Sequence, residues 1–413
     1  MSSQNPVFIP GPTNIPDIIR KACDMATLDH RSAAFGRIFV PAVAGVKAVL
    51  GTTTGEVILF PATGTGGWEA AITNTLSDGD TVLAARHGMF SHRWIDMCQR
   101  HRLNVQVIEA PWGQGAPVAQ IEAALNADRE HTIKAVLVTH NETATGVRSD
   151  IAGVRRALDA TRHPALLMVD GVSSIGSMEF YMDLWGVDLA VAGSQKGFML
   201  PAGLAIVGVS PKALAAMESA QLPRTFFDFR DMLKSYAAGG YPYTPAVGLL
   251  NGLAVSSQML LDEGLEAVWA RHYRIAEGVR RAVAAWGLRP CAARAELWSD
   301  TVTAVMVPEG CNGTDLVTLA ARKYDMAFGV GLGQVAGKVF RIGHLGRLTD
   351  AMMLSGLAVA EMCMADLGWP VVLGAGVAAA QDYYRGNALH MGAAADLAHR
   401  RVIEMGGAVS VTI

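Results

Sequence analysis

The chain has 413 residues, 51% of them hydrophobic and 17% charged, with a formal net charge of −3 at pH 7. That length and apolar content bury a large core and predict two domains, while a near-neutral balance without a basic run argues against nucleic acid or anionic membrane as a partner. So few charges for a fully wetted surface predict that a partner subunit covers part of it.

The opening MSSQNPVFIPGPTN lacks a basic n-region and an apolar h-region, so it does not read as a secretory signal. With Pro6, Pro10, Pro12 and Pro16 it reads as an extended arm over residues 1–20. Between about 55 and 210, short apolar runs at 57–60, 81–85, 135–139, 165–170, 189–192 and 204–209 read as strands. Helical periods at 91–101, 118–125 and 150–160 alternate with them. Such alternation predicts a mostly parallel sheet between helices, with ligands at the carboxyl ends of the strands. Residues 211–290 read as mainly helical. Strands at 301–307 and 338–342, with helices at 315–323, 350–367 and a more polar one at 378–404, predict a smaller α+β unit. The expected boundaries are an arm at 1–20, a large domain at 21–265 and a small C-terminal domain at 266–413. The apolar stretch 351–380 is broken by Glu361, Asp366 and Pro370 and reads as buried helix rather than a bilayer span. Five cysteines without a C-x-x-C pair read as free thiols in a reducing compartment, so a soluble, cytoplasmic protein is expected.

Three elements carry chemistry. In ALLMVDGVSSIG an apolar strand ends in Asp170, a carboxylate that is costly there unless something pairs with it. A salt bridge or helix cap satisfies it in one reading, and the N–H of a bound cationic ring in the other. In AGSQKGFMLPAGLA, Lys196 occupies a short polar turn between two apolar strands. It either snorkels to solvent or is covalently engaged. In FPATGTGGWEAA a strand runs through Thr63–Gly67 into a helix, whose free N–H groups and dipole suit a phosphate. This turn fails as a dinucleotide fingerprint, with Glu69 at the third glycine position, and as a P-loop, lacking Gly-Lys-Ser/Thr. A second glycine-rich stretch, Gly331 to Ala336, precedes a strand and reads as a loop.

Together with FIPGPTNIP, DHRSAAFGRIF, THNETATG and FRIGHLG, these motifs make the chain resemble the class V aminotransferases of pyridoxal-phosphate (PLP) fold type I over nearly its whole length. It is most similar to the serine–, aspartate– and alanine–glyoxylate enzymes. The resemblance implies a large α/β domain with a mostly parallel, seven-stranded-type sheet and a smaller C-terminal α+β domain. It also implies residue roles. Lys196 forms the Schiff base with PLP and Asp170 holds the pyridine nitrogen. Thr65, Gly66, Gly67 and Gln195 contact the phosphate, Phe90 stacks on the ring where many members carry Trp, and Thr143 sits beside the ring oxygen. Tyr241 and Thr244 reach the phosphate of the neighbouring subunit in a homodimer with shared sites. Arg341 grips the substrate α-carboxylate, a pairing suited to its planar fork, and Pro10, Gly11 and Pro12 wall a tight pocket. No metal is expected.

The implied reaction is ping-pong transamination of glyoxylate to glycine, with Lys196 moving the proton. The partners are small amino and 2-oxo acids, and the donor is L-serine (giving hydroxypyruvate) or L-aspartate (giving oxaloacetate). Aspartate favours a second cation, for which His30, Arg31, Arg37, Arg93 and His344 are candidates. Alternatives on the same fold are an alanine–glyoxylate enzyme or a cysteine desulfurase, though Cys311 is the only loop cysteine and its context is unlike that family's. A PLP-fold binding or regulatory protein without turnover is the non-enzyme alternative, against which the Asp170, Lys196 and Arg341 set argues.

Overall fold

A computed structural model describes residues 6–387. In chain order, β1 (Val7–Phe8) precedes α1 (Asp17–Cys23) and α2 (Ala33–Leu50). An alternating stretch follows: β2 (Glu56–Phe60), α3 (Gly64–Thr75), β3 (Thr81–Arg86), α4 (Met89–Arg100), β4 (Asn104–Glu109), α5 (Val118–Ala127) and β5 (Ile133–Thr139). A small hairpin, β6 (Asn141–Glu142) with β7 (Val147–Arg148), leads to α6 (Ile151–Ala160), β8 (Leu166–Asp170), β9 (Leu189–Gly193) and β10 (Ala205–Val209). Helices α7 (Pro211–Met217), α8 (Phe229–Ala237), α9 (Val247–Glu263) and α10 (Leu265–Ala285) come next. The chain continues through β11 (Arg289–Pro290), β12 (Val302–Met306), α11 (Gly313–Tyr324), β13 (Ala327–Val330), β14 (Val339–Gly343), α12 (Asp350–Asp366) and α13 (Ala375–Gly386).

Seven strands form one sheet in the order β2-β10-β9-β8-β5-β3-β4. Strand β10 is antiparallel to both of its neighbours, and the remaining pairs are parallel. Strands β8, β9 and β10 are buried along their whole length, as continuous apolar runs with helices on both faces should be. Alternate side chains feed two cores. Val57, Leu59, Val136, Val138, Leu167 and Val169 pack on the face that includes α2 and α9. Ile58, Phe60, Val82, Leu137, Met168 and Val191 pack on the face that includes α3 and α4. A five-stranded sheet, β1-β13-β14-β12-β11, has its own core beneath α10, α11, α12 and α13.

Several elements differ from the sequence reading. Strand β4 was not expected, because Asn104, Gln106 and Glu109 dilute its apolar signal; it is an edge strand that pairs only with β3. The proline-rich arm contributes a strand, β1, pairing parallel to β13, and α1 begins at Asp17, within the expected arm. The stretch 331–336 is a loop with one short 3₁₀ turn at Gly333–Val335. The polar helix expected at 378–404 begins earlier, at Ala375, and its part beyond 387 lies outside the described residues. Helix α2 is the one described helix long and apolar enough to cross a membrane, with a mean hydropathy of 1.6. It packs on α9 and β2 and is one-third buried within this chain.

Candidate active site

Because β2, β3, β5, β8 and β9 run parallel, their carboxyl ends open on one edge of the sheet, where ligands of such sheets bind. Each end delivers a residue singled out from sequence. After β2 comes the turn at Thr63–Gly67, which opens α3; the first N–H groups of a helix have no intrahelical partner. After β3 comes Phe90, half-buried in the first turn of α4. After β5 comes Thr143, whose hydroxyl bonds the Ser173 hydroxyl at 2.8 Å. Strand β8 ends in Asp170, and β9 leads to Gln195 and Lys196. The glycines of the Thr63–Gly67 turn are also needed for packing. A Cβ on Gly64 would stand 2.4 Å from Val172, and one on Gly67 would stand 2.6 Å from Val191.

Asp170 is 4% exposed, and burial pushes its carboxyl up to about 7. The Val172 N–H donates to its Oδ1 at 3.0 Å and opposes that rise, as does the positive charge of Lys196, while Glu142 adds to it. The Trp68 indole N–H is directed at the same carboxylate, outside hydrogen-bond geometry. Burial and the neighbouring Arg341 bring the Lys196 ammonium down to about 8, against the pull of Asp170. Gln195 keeps a buried side-chain oxygen with no partner among the described residues. Buried polar atoms are normally paired, so this one marks a place for a ligand or water. Gly197 has no room for a side chain, since a Cβ there would lie 2.1 Å from the Ile175 carbonyl. The lysine turn is therefore pressed against the Ser-Ser-Ile-Gly turn that follows Asp170.

Arg341, on β14, is 7% exposed. Its Nε donates to the Val330 carbonyl at 2.7 Å and its Nη1 to the Thr143 carbonyl at 3.0 Å. These bonds fix the guanidinium between the two sheets and leave Nη2 without a partner among the described residues. Burial lowers its pKa to about 10, so it stays charged at neutral pH.

The arm closes the other side. The Thr13 N–H donates to the Gln195 carbonyl at 3.1 Å, and Lys196 Nζ donates to the Pro10 carbonyl. Gly11, at φ 108°, faces Lys196 so closely that a Cβ would overlap its side chain at 2.5 Å. Asn14 clips the arm to itself: its side chain accepts the Val7 N–H at 2.9 Å and donates to the Val7 carbonyl at 2.8 Å.

Sequence reasoning placed Tyr241 and Thr244 toward a neighbouring subunit. Here the Tyr241 hydroxyl donates to the Leu59 carbonyl of its own chain, and Thr244 is exposed. His344, a candidate cation, is buried between Thr303 and the Asp300 carbonyl, and burial takes it down to about 3. It is neutral, so it supplies no charge for a second carboxylate. Arg93 is exposed beside Phe90, its guanidinium 5.4 Å from the ring centroid. His30, Arg31 and Arg37 lie at or near the surface around the start of α2. Two residues of the site carried no role in the sequence reading: Glu142, inside the THNET motif, and Asn14, in the proline-rich arm.

The class-V aminotransferase family model matches residues 22–339. An L-aspartate–glyoxylate aminotransferase of Paracoccus denitrificans is 70% identical over 385 residues, covering 93% of this chain and 97% of the relative. A serine–glyoxylate aminotransferase of Methylorubrum extorquens is 53% identical over 391 residues, covering 94% and 97%. Among solved structures, the pyridoxamine–pyruvate aminotransferase of Mesorhizobium loti superposes with a TM-score of 0.87 at 29% identity, covering 94% of this chain and 99% of that one. A ureidoglycine–glyoxylate aminotransferase of Bacillus subtilis, at 23% identity and a TM-score of 0.86 with 93% and 99% covered, shares the fold. The expectation of fold type I is met by these neighbours and by the seven-stranded, mostly parallel sheet. With the match spanning both sheets, the chain belongs to the class V aminotransferase family.

Proposed function

We propose that this enzyme uses pyridoxal phosphate to transaminate glyoxylate to glycine, taking the amino group from L-aspartate or L-serine. The carrying observation is that Asp170, Lys196 and the free N-terminus of α3 open on one sheet edge, with Arg341 fixed opposite. The residues fit the cofactor. A carboxyl raised to about 7 by burial gains from a cationic ring N–H, and the unpaired Gln195 amide oxygen calls for a ligand nearby. Thr65, Gly66 and Gly67 would hold the phosphate at the helix start, and Phe90 would cover the ring.

When bound, the cofactor supplies an aldehyde that captures the amino group and a ring that accepts electron density. Lys196, whose ammonium burial lowers to about 8, would take the proton from the substrate Cα and deliver it to the carbon that carried the aldehyde, as base and then acid. Arg341 binds the α-carboxylate that every substrate shares through the guanidinium edge left free by Val330 and Thr143. The arm turn at Pro10–Pro12 stands against Lys196 and narrows the pocket on that side. Aspartate is the favoured donor, on the strength of the 70% identity to an aspartate–glyoxylate enzyme. Exposed Arg93, and Arg31 and Arg37 brought from a neighbouring subunit, are the cations available for its second carboxylate. The proposed working form is a cytoplasmic homodimer in which Tyr241 and Thr244 also serve the neighbouring site; five free cysteines suit that reducing compartment.

The test is a donor screen on purified enzyme with added cofactor. Glycine should form from glyoxylate fastest with L-aspartate, with oxaloacetate as co-product, and more slowly with L-serine and L-alanine. No glycine with any amino donor would sink the activity; serine outrunning aspartate would overturn the ranking.

A further inference from the structure

Glu142 has no assigned role, yet it is fully buried at the centre of the site. Its main chain forms β6, directly before Thr143, whose carbonyl receives Arg341. Its side chain turns the other way, to the start of α4. The Phe90 N–H lies 3.2 Å from Oε1 and 3.1 Å from Oε2, and the Ser91 N–H donates to Oε2 at 3.0 Å. The Ala144 N–H adds a contact at 3.3 Å to Oε1. Two otherwise orphaned donors of the first turn of α4 are thereby satisfied by an acid placed at the positive end of a helix dipole. Gly88 makes the seat possible through space, since a Cβ there would stand 2.1 Å from Glu142 Cδ. The Ser91 hydroxyl locks the same turn by accepting the Gly88 N–H at 3.0 Å and donating to the Gly88 carbonyl at 3.0 Å.

We propose that Glu142 is a positioning residue that fixes the Phe90 ring over the cofactor plane through the backbone of the α4 first turn. A plain helix cap would support α4 stability alone. A positioning role predicts more, because the residue it holds is the one whose ring covers the ligand. The carboxylate sits 52 residues along the chain from Phe90, so the link is tertiary and separable from the helix itself.

This role rests on the cofactor reading above, and the test separates the two. Apo-protein is titrated with pyridoxal phosphate in a double-mutant cycle of wild type, Glu142→Gln, Phe90→Ala and both together. Affinity is read from the visible absorbance of bound cofactor, and ring geometry from the circular dichroism of the same band. Glu142→Gln should weaken binding roughly ten-fold and reduce the dichroism, a loss in the range of removing a charge-assisted hydrogen bond. In the Phe90→Ala background the same change should matter less than about two-fold, which is the mark of one residue acting through the other. Gly88→Ala provides an independent approach, crowding the carboxylate off its seat while keeping its charge, and should reproduce the loss. Additive effects, or unchanged affinity in both single variants, would overturn the proposal. So would failure of both Glu142→Gln and Gly88→Ala to fold, which would make the carboxylate a structural cap. A wild-type protein that binds no cofactor at all would instead sink the cofactor reading.

Discussion

Asp170 ends β8 among apolar side chains, and burial raises its carboxyl to about 7 against an ordinary value near 4. With its folded pKa above its unfolded one, the folded state binds more protons between these two values. Stability of the cofactor-free protein therefore falls as pH rises through that window, and the full cost is present above about 7. Asp170→Asn removes the titration while keeping the shape. In cofactor-free protein it should raise the melting temperature at pH 8 clearly more than at pH 4.5, with a free-energy difference on the order of a few kcal/mol. The same variant should bind cofactor more weakly, because an amide cannot hold a ring nitrogen protonated. Equal melting shifts at both pH values, by calorimetry, would show that burial charges no cost to the anion. Asp170 and Lys196 were legible in the sequence because a charge inside an apolar run is a local anomaly. Glu142 was not, because what makes it unusual is a set of backbone donors from Phe90 and Ser91, brought to it only by folding.

At the scale of elements, the parallel strands were readable wherever both faces are buried, as in β8, β9 and β10. The edge strand β4 escaped because one covered edge demands only a weak apolar alternation. The arm was recognisable from its prolines, but its anchoring was not. Asn14 makes a two-point clip on Val7 and so shapes the turn whose Pro10 carbonyl meets Lys196. Each such bond is worth about 0.5–1.5 kcal/mol net, so losing both is worth about 1–3 kcal/mol. Asn14→Ala should leave the sheets intact and the cofactor bound, but lower kcat/KM roughly ten-fold and speed limited proteolysis within the arm. Unchanged kinetics and cleavage would mean that β1 pairing alone holds the turn.

Across the whole molecule, two sheets with separate cores meet at the site, and Arg341 joins them by reaching from β14 to the Thr143 carbonyl. The low charge content predicts a covered surface, and α2 is where we expect it: an apolar helix one-third buried, with Val40 60% exposed. A second copy covering α2 would account for that composition. Sedimentation should give a particle of twice the 43.7 kDa chain mass. Val40→Asp should shift it toward the monomer, by at least ten-fold in dissociation constant if the residue is central. A monomeric wild type would refute the dimer. Composition alone could not point to α2, because its exposure depends on which faces α9 and β2 leave uncovered.

The pairing of Val7 and Phe8 with Ala327 and Phe328 also bears on how the protein is made. Synthesis runs from the amino end, so β1 leaves the ribosome long before its partner strand exists. Until β13 and β14 emerge, the Pro10–Pro12 turn has only its contacts with Gln195 and Lys196 to hold it, without the β1 pairing. The seven-stranded sheet can condense first, from pairings that are closer in sequence, and the arm then settles as a late clasp. A nascent chain halted before residue 327 would thus lack the strand that anchors the start of the arm. The pocket would thus close only after β13 and β14 have joined the arm.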